Sequence, residues 1–189
     1  GKKVATQIGS GSHHFIALVL KQNGLANGDI NLVNLPASDW QNALASGSVD
    51  AVSTWEPWGA TLRNAKVGKV LIDSKGIKDS PAVYLVRNAF ATKNPDLVER
   101  FLKVNQRVME YIKKNPDEAL EIVSKESKIP VAVLADSYRT TDWDLKIGSA
   151  DKKSFMQVKE FLLERNIIKK DFDIETLFDL HYLKNIGVE

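Results

Sequence analysis

Ala51-Val-Ser-Thr-Trp-Glu-Pro-Trp58 is the stretch that decides how the rest of the chain is read. It opens on β-prone residues, reaches an aromatic and a carboxylate, and then meets a proline. Proline lacks an amide hydrogen and has a fixed φ, so it sits at a turn or at the first position of a helix. Pro57 therefore ends a strand and opens a helix through Trp58, Leu62 and Ala65. Trp55 and Glu56 then fall at the carboxyl end of that strand, where open α/β sheets take their ligands. A flat apolar ring beside one negative charge makes a wall for a small molecule. The competing reading makes Trp55 and Trp58 packing residues and Glu56 an ordinary helix start.

Upstream, Lys2 to Ile8 reads as a strand that enters Gly9-Ser-Gly-Ser12 and a helix carrying Phe15, Leu18 and Val19 on its apolar side, ended by Gly24. The first amide groups of such a helix point at an anion, although plain capping produces the same pattern. No Gly-Lys-Ser/Thr follows, so this is not a P-loop, and the full dinucleotide fingerprint is missing too. His13 and His14 are adjacent and cannot share one helix face, which argues against a metal site. His13 reads instead as a hydrogen-bond donor near the turn. Ile30 to Leu35 is a second strand, and Ser38-Asp-Trp-Gln41 matches a capping box with Ser38 as N-cap. The helix that follows carries Trp40, Ala43 and Leu44 and stops at Gly47, and Val70 to Asp73 reads as a fourth strand. Strand and helix alternate through residues 1–75, which predicts a parallel sheet with right-handed crossovers.

Pro81 to Val86 reads as one more strand, and beyond Asn94 the pattern is helical. Asn94-Pro95-Asp96 and Asn115-Pro-Asp-Glu118 are both strong helix starts. Leu97, Phe101, Val104, Val108 and Ile112 mark the stripe expected to be buried in the first of these helices. Further helices are predicted near Pro130–Tyr138, Asp151–Arg165 and Ile174–Leu183. The boundary between the two halves falls at about residues 76–86.

Composition excludes several function classes. The 189 residues carry 26 basic against 24 acidic side chains and a net charge of +2, with no basic cluster to suggest nucleic acid. No apolar run approaches the length of a membrane span. With zero cysteines there are no disulfides, thiolate nucleophiles or cysteine metal sites. No catalytic nucleophile–base set, metal site or cofactor motif can be placed.

Several pieces occur in a telling order: Gly9-Ser-Gly-Ser-His13, Ala43-Leu-Ala-Ser-Gly-Ser-Val-Asp-Ala51, Trp55-Glu-Pro57, Val83-Tyr-Leu-Val-Arg87 and Asn94-Pro-Asp-Leu-Val98. Together they resemble the solute-binding proteins of ABC importers for aliphatic sulfonates, taurine and nitrate, from Gly1 to about Tyr182. The resemblance implies an α/β, type 2 periplasmic-binding-protein-like fold that clamps one small anionic solute between two lobes and delivers it to a membrane permease. It implies a three-layer αβα lobe 2 at residues 1–80, with the C-terminal part of lobe 1 and a helical tail at 81–189. It also implies that Ser10, Gly11, Ser12 and His13 face the solute's anionic group. Trp55 and Glu56 would line the same cleft, with Trp40 near its edge and Trp58 and Trp143 as packing. Glu56 would favour a cationic or hydroxyl-bearing group, as in an aminosulfonate. The location implied is periplasmic or otherwise extracytoplasmic, free or lipid-anchored. Such proteins begin with a βαβα segment of lobe 1, so the resemblance implies either on the order of a hundred residues upstream of Gly1 or a degenerate relative. Alternatives on the same fold are a thiamine-pyrimidine precursor binding protein, a ligand-sensor domain and a pyrimidine synthase-like enzyme.

Overall fold

The computed structural model describes residues 1–188. Its sheet has three parallel strands in the order β2-β1-β3: β1 (Lys2–Thr6), β2 (Ile30–Asn34) and the two-residue β3 (Ala51–Val52). β1 is central, pairing Val4 with both Leu32 and Ala51. Helices α1 (Gly11–Gln22), α2 (Trp40–Ala45) and α3 (Trp58–Asn64) each follow a strand, as the alternation predicts. A parallel sheet needs such crossovers because consecutive strands must restart from the same end.

The core of this half is centred on Trp40, which is 0% exposed and lies with Ala5, Ala43, Val49 and Leu62. Its indole nitrogen donates to the Leu35 carbonyl (3.2 Å), so the one polar atom of the ring is satisfied. Two local expectations fail here. Ser38 is not the helix N-cap: residues Ala37–Asp39 form a 3-10 turn, and the Ser38 hydroxyl bonds the Asp39 carboxylate (3.0 Å). The buried side of α1 is not the Phe15, Leu18 and Val19 side either. Ser12, His13, His14, Ile16 and Leu20 are the buried residues, with Phe161 packed against His13 and His14.

Beyond α3 the chain runs from Lys66 to Arg87 without a helix or strand. Val70–Asp73 and Pro81–Val86 have strand-like composition but no partner, and a strand exists only in a ladder. Leu71 and Leu85 are 78% and 91% exposed. Six helices follow: α4 (Asn88–Lys93), α5 (Pro95–Lys114), α6 (Pro116–Ser127), α7 (Val131–Thr140), α8 (Ser149–Glu164) and α9 (His181–Asn185). The short α4 has no counterpart in the sequence reading. The last predicted helix is broken instead: a 3-10 turn at Ile174–Leu177 ends where Phe178 turns extended, and its ring meets Phe155 (5.3 Å). The apolar stripe of α5 is formed but not buried, with Leu97, Phe101, Val104 and Val108 all 47–54% exposed. Tyr84 lies across it, edge-on to Phe101 (5.0 Å) and donating to Asn105 (2.6 Å). The helical half packs on the sheet half through α7 against α3 and α8 against α1.

Candidate functional site

The turn between β1 and α1 is built from side chains as much as from backbone. Gly9 has φ +83°, a left-handed conformation that a Cβ would strain. Its N–H donates to Nδ1 of His13 (3.2 Å), so His13 is an acceptor and a brace for the turn rather than the donor expected from the sequence. The acceptor nitrogen must be deprotonated, in keeping with a pKa lowered by burial and by the charge of Arg165. Ser10 is the N-cap of α1, its hydroxyl accepting from the His13 N–H (3.4 Å) and donating to the Gln7 carbonyl (2.6 Å). Gly11 and Ser12 hold the first two helical amides, which have no acceptor among the described residues. Those two N–H groups and the partial positive end of α1 are available to an anion.

The Ser12 side chain is not available in the same way. It is buried, and its hydroxyl lies 2.8 Å from both Thr6 Oγ1 and Ser10 Oγ. Thr6 in turn donates to the Ser53 carbonyl (3.2 Å), and the Ser53 hydroxyl donates to the Ser12 carbonyl (3.0 Å). Three hydroxyl protons, on Thr6, Ser10 and Ser12, thus serve four short contacts. The cluster ties the end of β3 to the start of α1, so the residues after Ser53 leave from the same edge of the sheet as the α1 turn.

Trp55 follows at that edge, 40% exposed and edge-on to Trp40 (5.0 Å). Trp40 itself is displaced from the role expected for it. Being wholly buried, it supports Trp55 from below and offers no surface to a cleft. Trp58 is 36% exposed, so it is a surface ring as much as a packing one. Trp143 stacks on Tyr138 (5.7 Å) and packs as expected. Glu56 is turned back onto α3: its carboxylate accepts from the Ala60 N–H (2.8 Å) and from Arg63 (3.0 Å). Arg63 also bonds Asp136 of α7 (2.7 Å), which pairs with Arg139. Glu56 therefore anchors a charge network, and a cationic solute group would have to compete with Arg63 for it.

One contributor escaped the sequence reading. The Lys78 ammonium comes beside Gly11 from the irregular segment after α3, 3.5 Å from where a Gly11 Cβ would lie. Nothing in the local pattern around Lys78 marks it, because only tertiary contact brings it there. Among the described residues no three His, Asp or Glu side chains gather as a metal site, and no helix is long and apolar enough to cross a membrane.

A Bacillus subtilis (strain 168) protein named for binding aliphatic sulfonates is 32% identical, over 97% of this chain and 56% of its own length. The taurine-binding periplasmic protein of Escherichia coli (strain K12) is 29% identical, over 87% of this chain and 56% of its own. The solved structure of the periplasmic aliphatic sulphonate binding protein SsuA from Escherichia coli superposes with a TM-score of 0.82 at 24% identity, over 95% of this chain and 59% of that one. The desulfurization enzyme DszB also superposes, with a TM-score of 0.71 at 14% identity, over 98% of this chain and 70% of that one. The fold is thus that of the periplasmic sulfonate-binding structures, and the chain spans a little over half the length of the curated relatives it matches. The match to the family model covers residues 1–125, most of the chain, and on that ground the chain belongs to the NMT1-like family.

Proposed function

We propose that this chain is the greater part of the extracytoplasmic solute-binding component of an ABC importer, taking a small organic anion of the alkanesulfonate or taurine kind. The observation that carries the reading is the pair of unpartnered amides at Gly11 and Ser12, at the carboxyl edge of the sheet from which the exposed Trp55 also leaves. Neutral donors on a helix start suit an oxyanion, and an indole face suits a short alkyl chain. Relatives named for aliphatic sulfonates and for taurine support the same solute class. The partner would be a membrane permease and the location the periplasm or its equivalent.

Ser10, Gly11, Ser12 and Trp55 are the residues proposed to serve the solute, with Ser12 acting through its amide. His13 and Trp40 hold those residues in place, and Glu56 acts on the solute only if Arg63 releases it. Residues 1–80 form one lobe in this reading, and 81–189 supply the later part of the other. The uncovered stripe of α5 and the unpaired run 81–86 are what support that division. Binding without turnover is proposed because no side chain at the α1 turn has a base positioned to activate it.

Thermal-shift titration of the full chain with propanesulfonate, taurine and nitrate tests the proposal. A ligand that binds only the folded state raises the melting temperature in proportion to the logarithm of its concentration. The expected result is such a rise for at least one sulfonate, and lack of response to all three at millimolar concentration overturns it.

A further inference from the structure

We propose that Lys78, whose ammonium stands beside Gly11 at the start of α1, reads the charge of the solute and makes the site select organic anions over uncharged molecules of the same shape. The inference rests on the solute-binding reading above and adds to it a residue and a criterion of selection.

The lysine is held there by a chain of named contacts. Its Nζ donates to the Ser80 hydroxyl (2.6 Å) and the Asp79 carbonyl (3.3 Å). That carbonyl also accepts from the buried Ser154 hydroxyl of α8 (2.7 Å). α8 in turn lays Phe161 against His13 and His14 of α1, with ring centroids 5.0 and 4.9 Å apart. Segment 78–80 is therefore tied through α8 to the same helix whose first turn it overlooks. Gly11 leaves the room: a Cβ there would stand 3.5 Å from the ammonium, so a larger side chain would crowd or displace it.

The electrostatics of this arrangement are incomplete without an anion. Among the described residues Lys78 makes no ion pair, and the Asp79 carboxylate acts on it only at longer range. The half-buried ammonium stands beside Gly11, the first residue of α1 and its partial positive end. His14 lies within its field, 3% exposed and with Nδ1 lacking any partner. Burial pushes the lysine pKa down, as expected for a cation without a counter-charge. An oxyanion seated on the Gly11 and Ser12 amides would meet Lys78 as well and remove the repulsion. The division of labour follows from the donors. An amide N–H donates to any oxygen with a lone pair and only strengthens its bond when that oxygen is charged, whereas a cation attracts the charge itself. Charge-assisted bonds are about twice as strong as neutral ones.

The experiment compares the full chain with its Lys78→Met and Lys78→Arg variants, by calorimetry, against propanesulfonate and the uncharged propanesulfonamide. Wild type is expected to prefer the sulfonate, by about tenfold to a hundredfold. Lys78→Met should lose most of that margin, through weaker sulfonate binding alone, while Lys78→Arg keeps most of it. The unliganded Lys78→Met protein should melt no lower than wild type, because it loses an unpaired charge. Equal sulfonate affinity in wild type and Lys78→Met overturns the proposal while leaving the solute-binding reading intact. Equal losses for sulfonate and sulfonamide overturn it too, since they would show a structural role. A wild type that binds neither compound removes both the proposal and the reading beneath it.

Discussion

Acid should destabilise this fold well before its carboxylates protonate, and His14 is the reason. The ring is buried against Phe161, with Nδ1 unpartnered and Lys78 nearby, and its pKa is pushed down to about 4 from 6.5. The unfolded chain takes up a proton as pH falls through 6.5, whereas the folded chain resists until about 4. Stability present above 6.5 is therefore lost progressively across that window. Each pKa unit corresponds to about 1.4 kcal/mol, so the loss from this residue alone is about 2 kcal/mol by pH 5 and approaches about 3 kcal/mol as a ceiling. For a chain of this size, about 2 kcal/mol is a fall in melting temperature of roughly 4–8 °C. His13 contributes in the same direction, since burial lowers its pKa as well. The assay is urea denaturation at pH 7.5 and pH 5.0, a range that spares most carboxylates. His14→Phe keeps a ring against Phe161 but cannot take a proton. It should lose about 2 kcal/mol less than wild type between the two pH values, whatever its absolute stability. A variant that falls as steeply as wild type would refute the reasoning, because the proton uptake would then belong elsewhere.

Other perturbations probe the remaining links. Arg63→Met should cost about 1–2 kcal/mol by denaturant titration, since Glu56 is left part-buried without an ion-pair partner while Asp136 keeps only Arg139. Adding Glu56→Gln should recover part of that loss, and full additivity of the two changes would argue against their coupling. Trp40→Ala should cost about 3–5 kcal/mol by the same measurement, the range for emptying a large aromatic site. A loss under about 1 kcal/mol would mean that the core is not centred there. The exposed stripe of α5 and the bare run 81–86 should drive self-association of the 189-residue chain. Light scattering is expected to give a mass above 21.0 kDa, and a monodisperse monomer would count against the lobe assignment.

The sequence was most legible where local chemistry and fold agree. Gly9 and the Ser10 cap announce the first strand–helix turn, and Pro57 marks the start of α3, because these residues act on their own backbone. Val70–Asp73 and Pro81–Val86 misled for the opposite reason. β-branched composition signals a surface that fits a sheet, not the presence of a neighbour to complete one. The α5 stripe is periodic in sequence and uncovered in the fold, so periodicity gave the helix but not its partner. In the site, the turn residues could be named from sequence. Lys78 could not, nor could the withdrawal of Trp40 into the core or of Glu56 onto Arg63, since each depends on which elements meet across the chain.

The hydroxyl cluster beneath the α1 turn has a consequence of its own. When Ser10 and Thr6 donate to the carbonyls of Gln7 and Ser53, the Ser12 proton can point to either neighbour but not to both. Both settings close a hydrogen bond of the same 2.8 Å length, so the direction of this hydroxyl's dipole changes when one bond rotates. A hydroxyl rotation of this kind is faster than any backbone rearrangement. The floor of the turn is in this sense a polarisable medium built into the protein. In the solute-binding reading proposed above, that hydroxyl is the part of the turn able to reorient while its backbone stays fixed.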